Sequence, residues 1–371
     1  MTTTALPTSS RAAVLVAHSE DLDLQELPLP AELEAGAALV HNSCATLCGT
    51  DVEIWAGKMS FPGMLPMVLG HEMVGTVVAV GEGTVDALGR PIEAGDRIGW
   101  SESTCGQCYG CTILRQAVAC SRRGYGFLQR SDAPPYSTAG LTEYAYVVPG
   151  AAKLLLPDSV PDQLASMAGC AAKTVLRAFD RLGRIRPGAR VVVQGSGALG
   201  IFATAVAHLS GAAQVITVGG GSGRLALAKE FGAAATVDIA GGSEAIVSEV
   251  MELTGGHGAD IILDLAGAPS VGREAVAMAA QRGRFAIVGS TGPVSDAISL
   301  SAVMGKEMTV VGSLNGDISD YHHAIEFFEA FGDRMPWDKL FSAPVPLSEA
   351  SASLRRMESL EETKAVIDPR R

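Results

Sequence analysis

Val191-Val192-Val193-Gln194-Gly195-Ser196-Gly197-Ala198-Leu199-Gly200 carries an apolar triplet into a G-x-G-x-x-G turn, and Ile201 to Leu209 continues it as an Ala-rich stretch. That order predicts a strand, a tight glycine turn and a helix. The glycines permit the turn and a close backbone approach, while the helix start offers N–H groups to a pyrophosphate. A glycine-rich turn without a ligand is the alternative, and the flanking strand and helix weigh against it. Gly195, Gly197, Ala198, Leu199 and Gly200 are therefore candidate dinucleotide contacts.

The texture on either side agrees. From about residue 172 buried strand candidates, Arg190 to Gln194, Gln214 to Val218, Ile261 to Leu265, Phe285 to Val288 and Met308 to Val311, alternate with helical stretches such as Arg224 to Phe231. Apolar strands alternating with helices indicate a doubly wound parallel sheet covered on both faces. An NAD site usually places an acid after the second strand, on the ribose 2′-OH. Here Val215-Ile216-Thr217-Val218 runs into Gly219-Gly220-Gly221-Ser222-Gly223-Arg224, and no carboxylate follows until Glu230. The missing acid removes repulsion against a 2′-phosphate, with Gly219, Ser222 and Arg224 as candidate contacts, so NADP(H) is favoured over NAD(H). A solvated helix-start arginine, and a flexible loop around NAD, are the alternatives.

Residues 12 to 150 differ. Short apolar runs such as Ala37 to Val40, Val74 to Val80 and Leu141 to Val148, broken by Gly and Pro, predict a β-rich unit. Into it is set Cys105, Cys108, Cys111 and Cys120, spaced C-x2-C-x2-C-x8-C, a pattern that can close a four-thiolate structural zinc site; a disulfide framework is the weaker reading. Two other cysteines stand in Cys48-Gly49-Thr50-Asp51 and Ala168-Gly169-Cys170, and a histidine in Gly70-His71-Glu72. Two thiolates and an imidazole form a set that leaves zinc an open position.

At 371 residues, two domains are expected. Hydrophobic residues make up 47% and charged ones 18%, a core-rich globular composition. The net charge of −12 argues against nucleic acid or an anionic membrane as partner, and no apolar run is long enough to cross a bilayer. Met1 to Arg11 is Thr/Ser-rich without the order of a signal peptide, so a frayed terminus, free thiols and a cytoplasmic location are expected.

Taken together, Cys48-Gly49-Thr50-Asp51, Gly70-His71-Glu72, the four-cysteine lobe, Cys170 and the glycine loop resemble the medium-chain, zinc-dependent alcohol dehydrogenase family over nearly the whole chain. The resemblance implies a GroES-like catalytic domain at 1–171 with a zinc lobe at about 101–123, a Rossmann domain at 172–317, and a return of 318–371 to the first domain. It implies two Zn2+ per chain, hydride transfer between a small alcohol or carbonyl compound and a nicotinamide, and a homodimer or homotetramer. By the same resemblance Cys48, His71 and Cys170 are catalytic zinc ligands, Glu72 the carboxylate near the metal, Asp51 the acceptor orienting His71, and Thr50 the hydroxyl taking the substrate proton. Thr174 would lie beside the nicotinamide and Lys364 near the pyrophosphate. The chain departs from the pattern at Glu53, where many members carry a relay histidine, and in the eight residues before its last lobe cysteine, where seven are usual.

Other residues invite plainer readings. Cys44 suits a buried small hydrophobe, and His18, His41, His208, His257, His322 and His323 lack ligand contexts. Asp264 is either near the cofactor or in a strand-end hydrogen bond, and Trp55 and Met59 line either a pocket or the core. The rivals to the dehydrogenase reading are a non-catalytic zinc and dinucleotide-binding regulator, a carbonyl reductase working mainly in the reducing direction, and a zinc-free reductase of the same superfamily.

Overall fold

Short runs of β-branched and small residues between Gly and Pro turns build the first half of the chain, each long enough for one strand. The structure is a computed structural model that describes residues 6–289 and 296–371. The strands are β1 Ser9–Leu15, β2 Asp23–Pro28, β3 Ala38–Thr46, β4 Met67–Val68, β5 Glu72–Val80, β6 Arg97–Ser103, β7 Tyr144–Val147 and β8 Ala151–Leu155. β1 lies between β2 and β4, and β3 lies between β5 and β7, with β6 and β8 continuing from β5. Ser9 to Arg11, expected to fray, belong to β1, because Ser10 is buried and its Oγ donates to the Tyr144 carbonyl at 3.0 Å. Residues 1–5 of that expected frayed end lie outside the described residues.

The second half reads Val-Val-Val, Val-Ile-Thr-Val and Ile-Ile-Leu at its strand centres, as strands buried on both faces require. Its strands are β9 Arg190–Gln194, β10 Gln214–Gly219, β11 Ala235–Asp238, β12 Ala259–Asp264, β13 Ala279–Ile287 and β14 Thr309–Gly312, paired in parallel in the order β11-β10-β9-β12-β13-β14. That order is the doubly wound one, with the strand before the glycine loop at its centre. β11 escaped the sequence reading because it is an edge strand with Val237 as its one buried residue, too short and Ala-rich to show a period.

The chain divides into two compact units. One comprises residues up to Cys170, Gly316–Ala330 and Phe341–Arg371; the other comprises Ala171–Asn315 and Phe331–Leu340. The last short segment packs in the second unit through Trp337, whose ring lies 5.8 Å from Phe202 and 5.2 Å from Phe231. In the first unit the helix Ile318–Phe331 buries Tyr321 completely, and its hydroxyl donates to the Ala165 carbonyl at 3.0 Å. The final strand β15, Val366–Ile367, pairs with the end of β3. Trp55 and Met59 belong to this unit's core cluster, Trp55 with its indole N–H on the Glu20 carbonyl at 2.7 Å. Among the described residues no helix is long and apolar enough to cross a membrane.

One buried charge makes this core sensitive to pH. Lys153 on β8 is 3% exposed, and its Nζ donates to the carbonyls of Ala151 at 2.9 Å and Val148 at 3.3 Å. Burial lowers its pKa from 10.5 to about 8. Below about pH 8 both folded and unfolded chains carry the proton, and the fold bears the cost of the buried charge. Between about pH 8 and 10.5 the unfolded chain holds a proton the folded one has lost, so stability rises with pH. The expected gain, relative to Lys153→Met, is about 1–3 kcal/mol across that window. Urea unfolding of both proteins at several pH values checks it, and parallel pH curves would contradict it.

Candidate functional site

Three segments that are distant in sequence end at one place in the first unit. Cys48 precedes the short helix Gly49–Trp55, and Asp51 in its first turn accepts the Cys48 N–H at 2.8 Å, as a capping-box acid does. Asp51 is fully buried and also accepts the Gly70 N–H at 2.9 Å, and its Oδ1 lies 3.3 Å from His71 Nδ1. One carboxylate thus ties the Cys48 turn to the segment leading into β5. Cys170 sits in a π-helical turn, Ala168–Ala172, a local widening that re-aims a side chain and often marks a functional position.

Cys48, His71, Glu72 and Cys170 each bring one ligand atom to within 4.8 Å of the others. Two sulfurs, an imidazole nitrogen and a carboxylate are the donor types zinc takes. Glu72 fits such a site in a further respect, since its Oε1 is buried without a hydrogen-bond partner. Its other oxygen is held by Thr46 Oγ1 and Lys364 Nζ, each at 2.5 Å. Ser166 supports the same carboxyl, 2.9 Å from Thr46 Oγ1, and donates to the Glu72 carbonyl at 2.8 Å. The pairing of Thr46 with Glu72 in the β3–β5 register, and of Val366 with Thr46, brings these groups together.

The charges favour a thiolate. A hydrogen bond from Cys170 holds the Cys48 thiol well below its ordinary range against the effect of burial, and His71 and Lys364 add to it. Burial works against protonated His71, but the charge and hydrogen bond of Asp51 and the sulfur of Cys48 outweigh it and raise its pKa. Burial pushes Glu72 up to about 7, with Lys364 pulling the other way. Thr50 is half-buried, its Oγ1 4.0 Å from Cys48 Sγ. Burial and the charge of Cys48 raise Glu53 on the same helix.

The four lobe cysteines also converge, with sulfurs within 4.8 Å of one another. The Cys108–Cys111 and Cys105–Cys120 sulfurs are 3.6 Å apart, far beyond a disulfide bond and close to the edge of a zinc–thiolate tetrahedron, roughly 3.8 Å. The backbone N–H groups of Cys105 and Arg122 point at Cys120 Sγ, each at 3.4 Å. Those of Cys111 and Ser121 lower Cys108 to about 5, whereas burial pushes Cys111 up to about 11.

In the second unit β9 leads through Gly195 and Ser196 to Gly197, and Ala198, Leu199 and Gly200 open the helix Ala198–Leu209. A Cβ on Gly200 would stand 1.8 Å from the Gly195 carbonyl oxygen, so the helix can press on the turn only with glycine there. A Cβ on Gly219 would meet Ser196 Oγ at 2.4 Å, so the end of β10 runs close against the glycine turn. Ser222 and Arg224 lie in the first turn of the next helix, Ser222–Glu230, and burial lowers the Arg224 pKa. Thr174 is buried in the helix Lys173–Leu182.

Lys364 is 1% exposed and ion-paired with Glu72. Asp264 is a strand-end acceptor for the Ala266 and Gly267 N–H groups at 3.1 and 2.9 Å. Cys44 is buried in β3, where burial pushes its thiol up. Thr46, Ser166 and Phe127, whose ring lies 4.5 Å from that of His71, were not legible beforehand, because nothing local marks a threonine, serine or phenylalanine that meets the site only through long-range pairing.

Comparison with known proteins follows these lines. Residues 34–158 match the family described as alcohol dehydrogenase GroES-like domain, and residues 198–330 the family described as zinc-binding dehydrogenase. The chain is 32% identical to 5-exo-hydroxycamphor dehydrogenase of Pseudomonas putida, over 97% of this chain and 98% of that one. It is 31% identical to L-threonine 3-dehydrogenase of Aeromonas salmonicida, over 78% and 79% of the two chains. The crystal structure of an alcohol dehydrogenase from Thermotoga maritima superposes with a TM-score of 0.88 at 29% identity, covering 97% of this chain and 99% of that one.

Proposed function

The chain belongs to the zinc-dependent medium-chain alcohol dehydrogenase family, and from that premise we propose that it moves a hydride between an alcohol, or its aldehyde or ketone, and a nicotinamide, with NADP(H) preferred. The observation that carries this reading is the convergence of Cys48, His71, Cys170 and Glu72. Cys48, His71 and Cys170 would hold one zinc ion, with Glu72 beside it, and Cys105, Cys108, Cys111 and Cys120 a second. Zinc in the first set supplies a Lewis-acid charge that eases loss of the alcohol proton, and the nicotinamide supplies the hydride acceptor.

The chain's own groups do the rest. Asp51 engages His71 at Nδ1, which leaves Nε2 as the donor atom and fixes the ring. Lys364 offsets the charge of Glu72 and favours the Cys48 thiolate. Thr50 Oγ1 takes the alcohol proton and hands it outward, with Glu53, one turn further along the helix, or the cofactor ribose as the next acceptor.

The glycine at the end of β10 and the half-buried Arg224 support NADP(H). The test mixes the zinc-assayed protein with primary, secondary and cyclic alcohols, with NADP and NAD presented separately, and follows reduced nicotinamide by absorbance. Turnover with NADP preferred is expected; no turnover with either cofactor at full zinc content would overturn the reading. Arg224→Ala is expected to shift the NADP-to-NAD ratio of kcat/KM by about tenfold or more toward NAD. An unchanged ratio would remove Arg224 from the 2′-phosphate.

A further inference from the structure

In the second unit β9, β12, β13 and β14 run parallel, so their starts lie side by side at the end of the sheet opposite the glycine turn. There they border a groove of about 530 Å³, the size of a small-molecule site. Its charged lining is Arg186, Arg190, Arg282 and Arg284 against Asp260 and Glu307, four cations against two acids in a chain of net charge −12. The two acids compensate little beyond Arg190. Asp260 accepts the Arg190 N–H at 2.8 Å and lies 3.7 Å from its Nη1. Glu307 lies 3.9 Å from Arg282 Nε, with both side chains more than 70% exposed, so that pair contributes little. Arg282 stands in the bulge where β13 shifts register against β12, its N–H on the Lys306 carbonyl at 2.6 Å. Lys306 sends its Nζ to the carbonyls of Val276, Ala277 and Ala279, so it adds positive charge and no compensation. Arg284 is fixed by neutral acceptors, the Leu182 carbonyl on Nη1 and the Arg184 carbonyl at 3.0 Å on Nη2. Burial and the charge of Arg186 lower its pKa, with Asp260 pulling the other way. Arg186 itself is exposed and pairs with no carboxylate among the described residues.

We propose that this groove binds a small molecule carrying a dianionic phosphate group, at a site separate from the dinucleotide turn. Guanidinium forks match phosphate oxygens two N–H groups at a time, and Arg186 and Arg282 have forks that no strong ion pair occupies. A phosphate monoester, with a charge of about −1.5 to −2 near neutral pH, balances the excess of two positive charges. A monocarboxylate would leave one of them unmatched. A nucleic-acid strand or an acidic polypeptide needs a basic surface running well past such a groove, and the net charge of −12 opposes both. The glycine turn cannot be the same site, because β9 from Arg190 to Gln194 separates the two by roughly 16 Å at about 3.3 Å per residue.

The test titrates the full chain with ribose 5-phosphate, inorganic phosphate and ribose in about 0.1 M salt, where general charge attraction is screened. Calorimetry and the shift in melting temperature are read for wild type, Arg186→Gln, Arg282→Gln and Glu307→Gln. Both arginines are exposed and make no strong ion pair, so their variants should melt like wild type without ligand. Wild type is expected to bind one ribose 5-phosphate per chain and to ignore ribose. Each arginine variant is expected to weaken that binding about tenfold or more, and Glu307→Gln, which removes a like charge, to tighten it. Inorganic phosphate bound as tightly as the ester would support free phosphate as the occupant, and weaker binding a phosphate ester. Absence of binding to wild type would overturn the inference. So would binding that survives in both arginine variants or is displaced by NADPH, since either result puts the anion elsewhere. A tight complex with polyglutamate or single-stranded RNA, with ribose 5-phosphate silent, would overturn the small-molecule class.

Discussion

Cys48→Ser and His71→Ala are each expected to lower kcat/KM by about 10³-fold or more and to halve the zinc content, with nicotinamide binding retained. A bound metal contributes several kcal/mol of charge stabilisation in the transition state, and each 1.36 kcal/mol is a decade in rate. Both residues lie in the first unit, while the glycine loop belongs to the second, so cofactor binding has no reason to fall with them. Zinc by mass spectrometry, fluorescence titration with NADPH, and steady-state kinetics separate the contributions. Full turnover in both variants would sink the assignment. Asp51→Asn gives a finer version of the same test. Both oxygens of Asp51 face donors, Cys48 N–H on one side and Gly70 N–H with His71 Nδ1 on the other, so an amide NH2 must oppose one of them. The expected loss is about 10–100-fold, with part of the zinc retained.

What the sequence disclosed about this site follows from how local each signal is. Cys48 and Asp51 share a helix start, His71 and Glu72 are adjacent, and the glycine loop lies between a strand and a helix, so each pattern is written within a few residues. Lys364 shows the limit. Its ion pair with Glu72 exists because β15 pairs with β3 and β3 with β5, a relation between three strands that no stretch of sequence contains. The same holds for Arg123, one of two adjacent arginines after the lobe: that its Nη1 is buried is visible only in the fold. Periodicity revealed the long central strands and missed β11, whose single buried residue leaves no pattern.

Cys111→Ser is expected to lose the lobe's metal and, with it, the lobe's resistance to trypsin. Between Cys105 and Arg122 only Gly110 and Cys120 are buried, while Tyr109, Ile113 and Leu114 are 66%, 64% and 47% exposed. A segment with so little buried apolar surface cannot be held by the hydrophobic effect, and its helix, Tyr109–Thr112, is four residues long. Hydrogen bonds tie Ser103 to Gly124 and the Val118 N–H to Asp317 Oδ1 at 2.6 Å, and the four sulfurs gather the stretch from Cys105 to Cys120. Structural zinc contributes about 10–16 kcal/mol in isolated finger peptides. Here most of that loss opens the lobe locally, and a fall of at least about 3 kcal/mol in overall stability is expected because Asp317 starts the segment that carries Tyr321. Arg115 and Arg122 are exposed and become the cleavage points once the loop is free to enter a protease. Limited trypsin digestion followed by mass analysis, alongside zinc content and melting temperature, makes the comparison with Cys48→Ser, which should lose its zinc and stay resistant. A Cys111→Ser protein with wild-type digestion, zinc and melting would show that the four sulfurs, though gathered, do not hold this lobe through a metal.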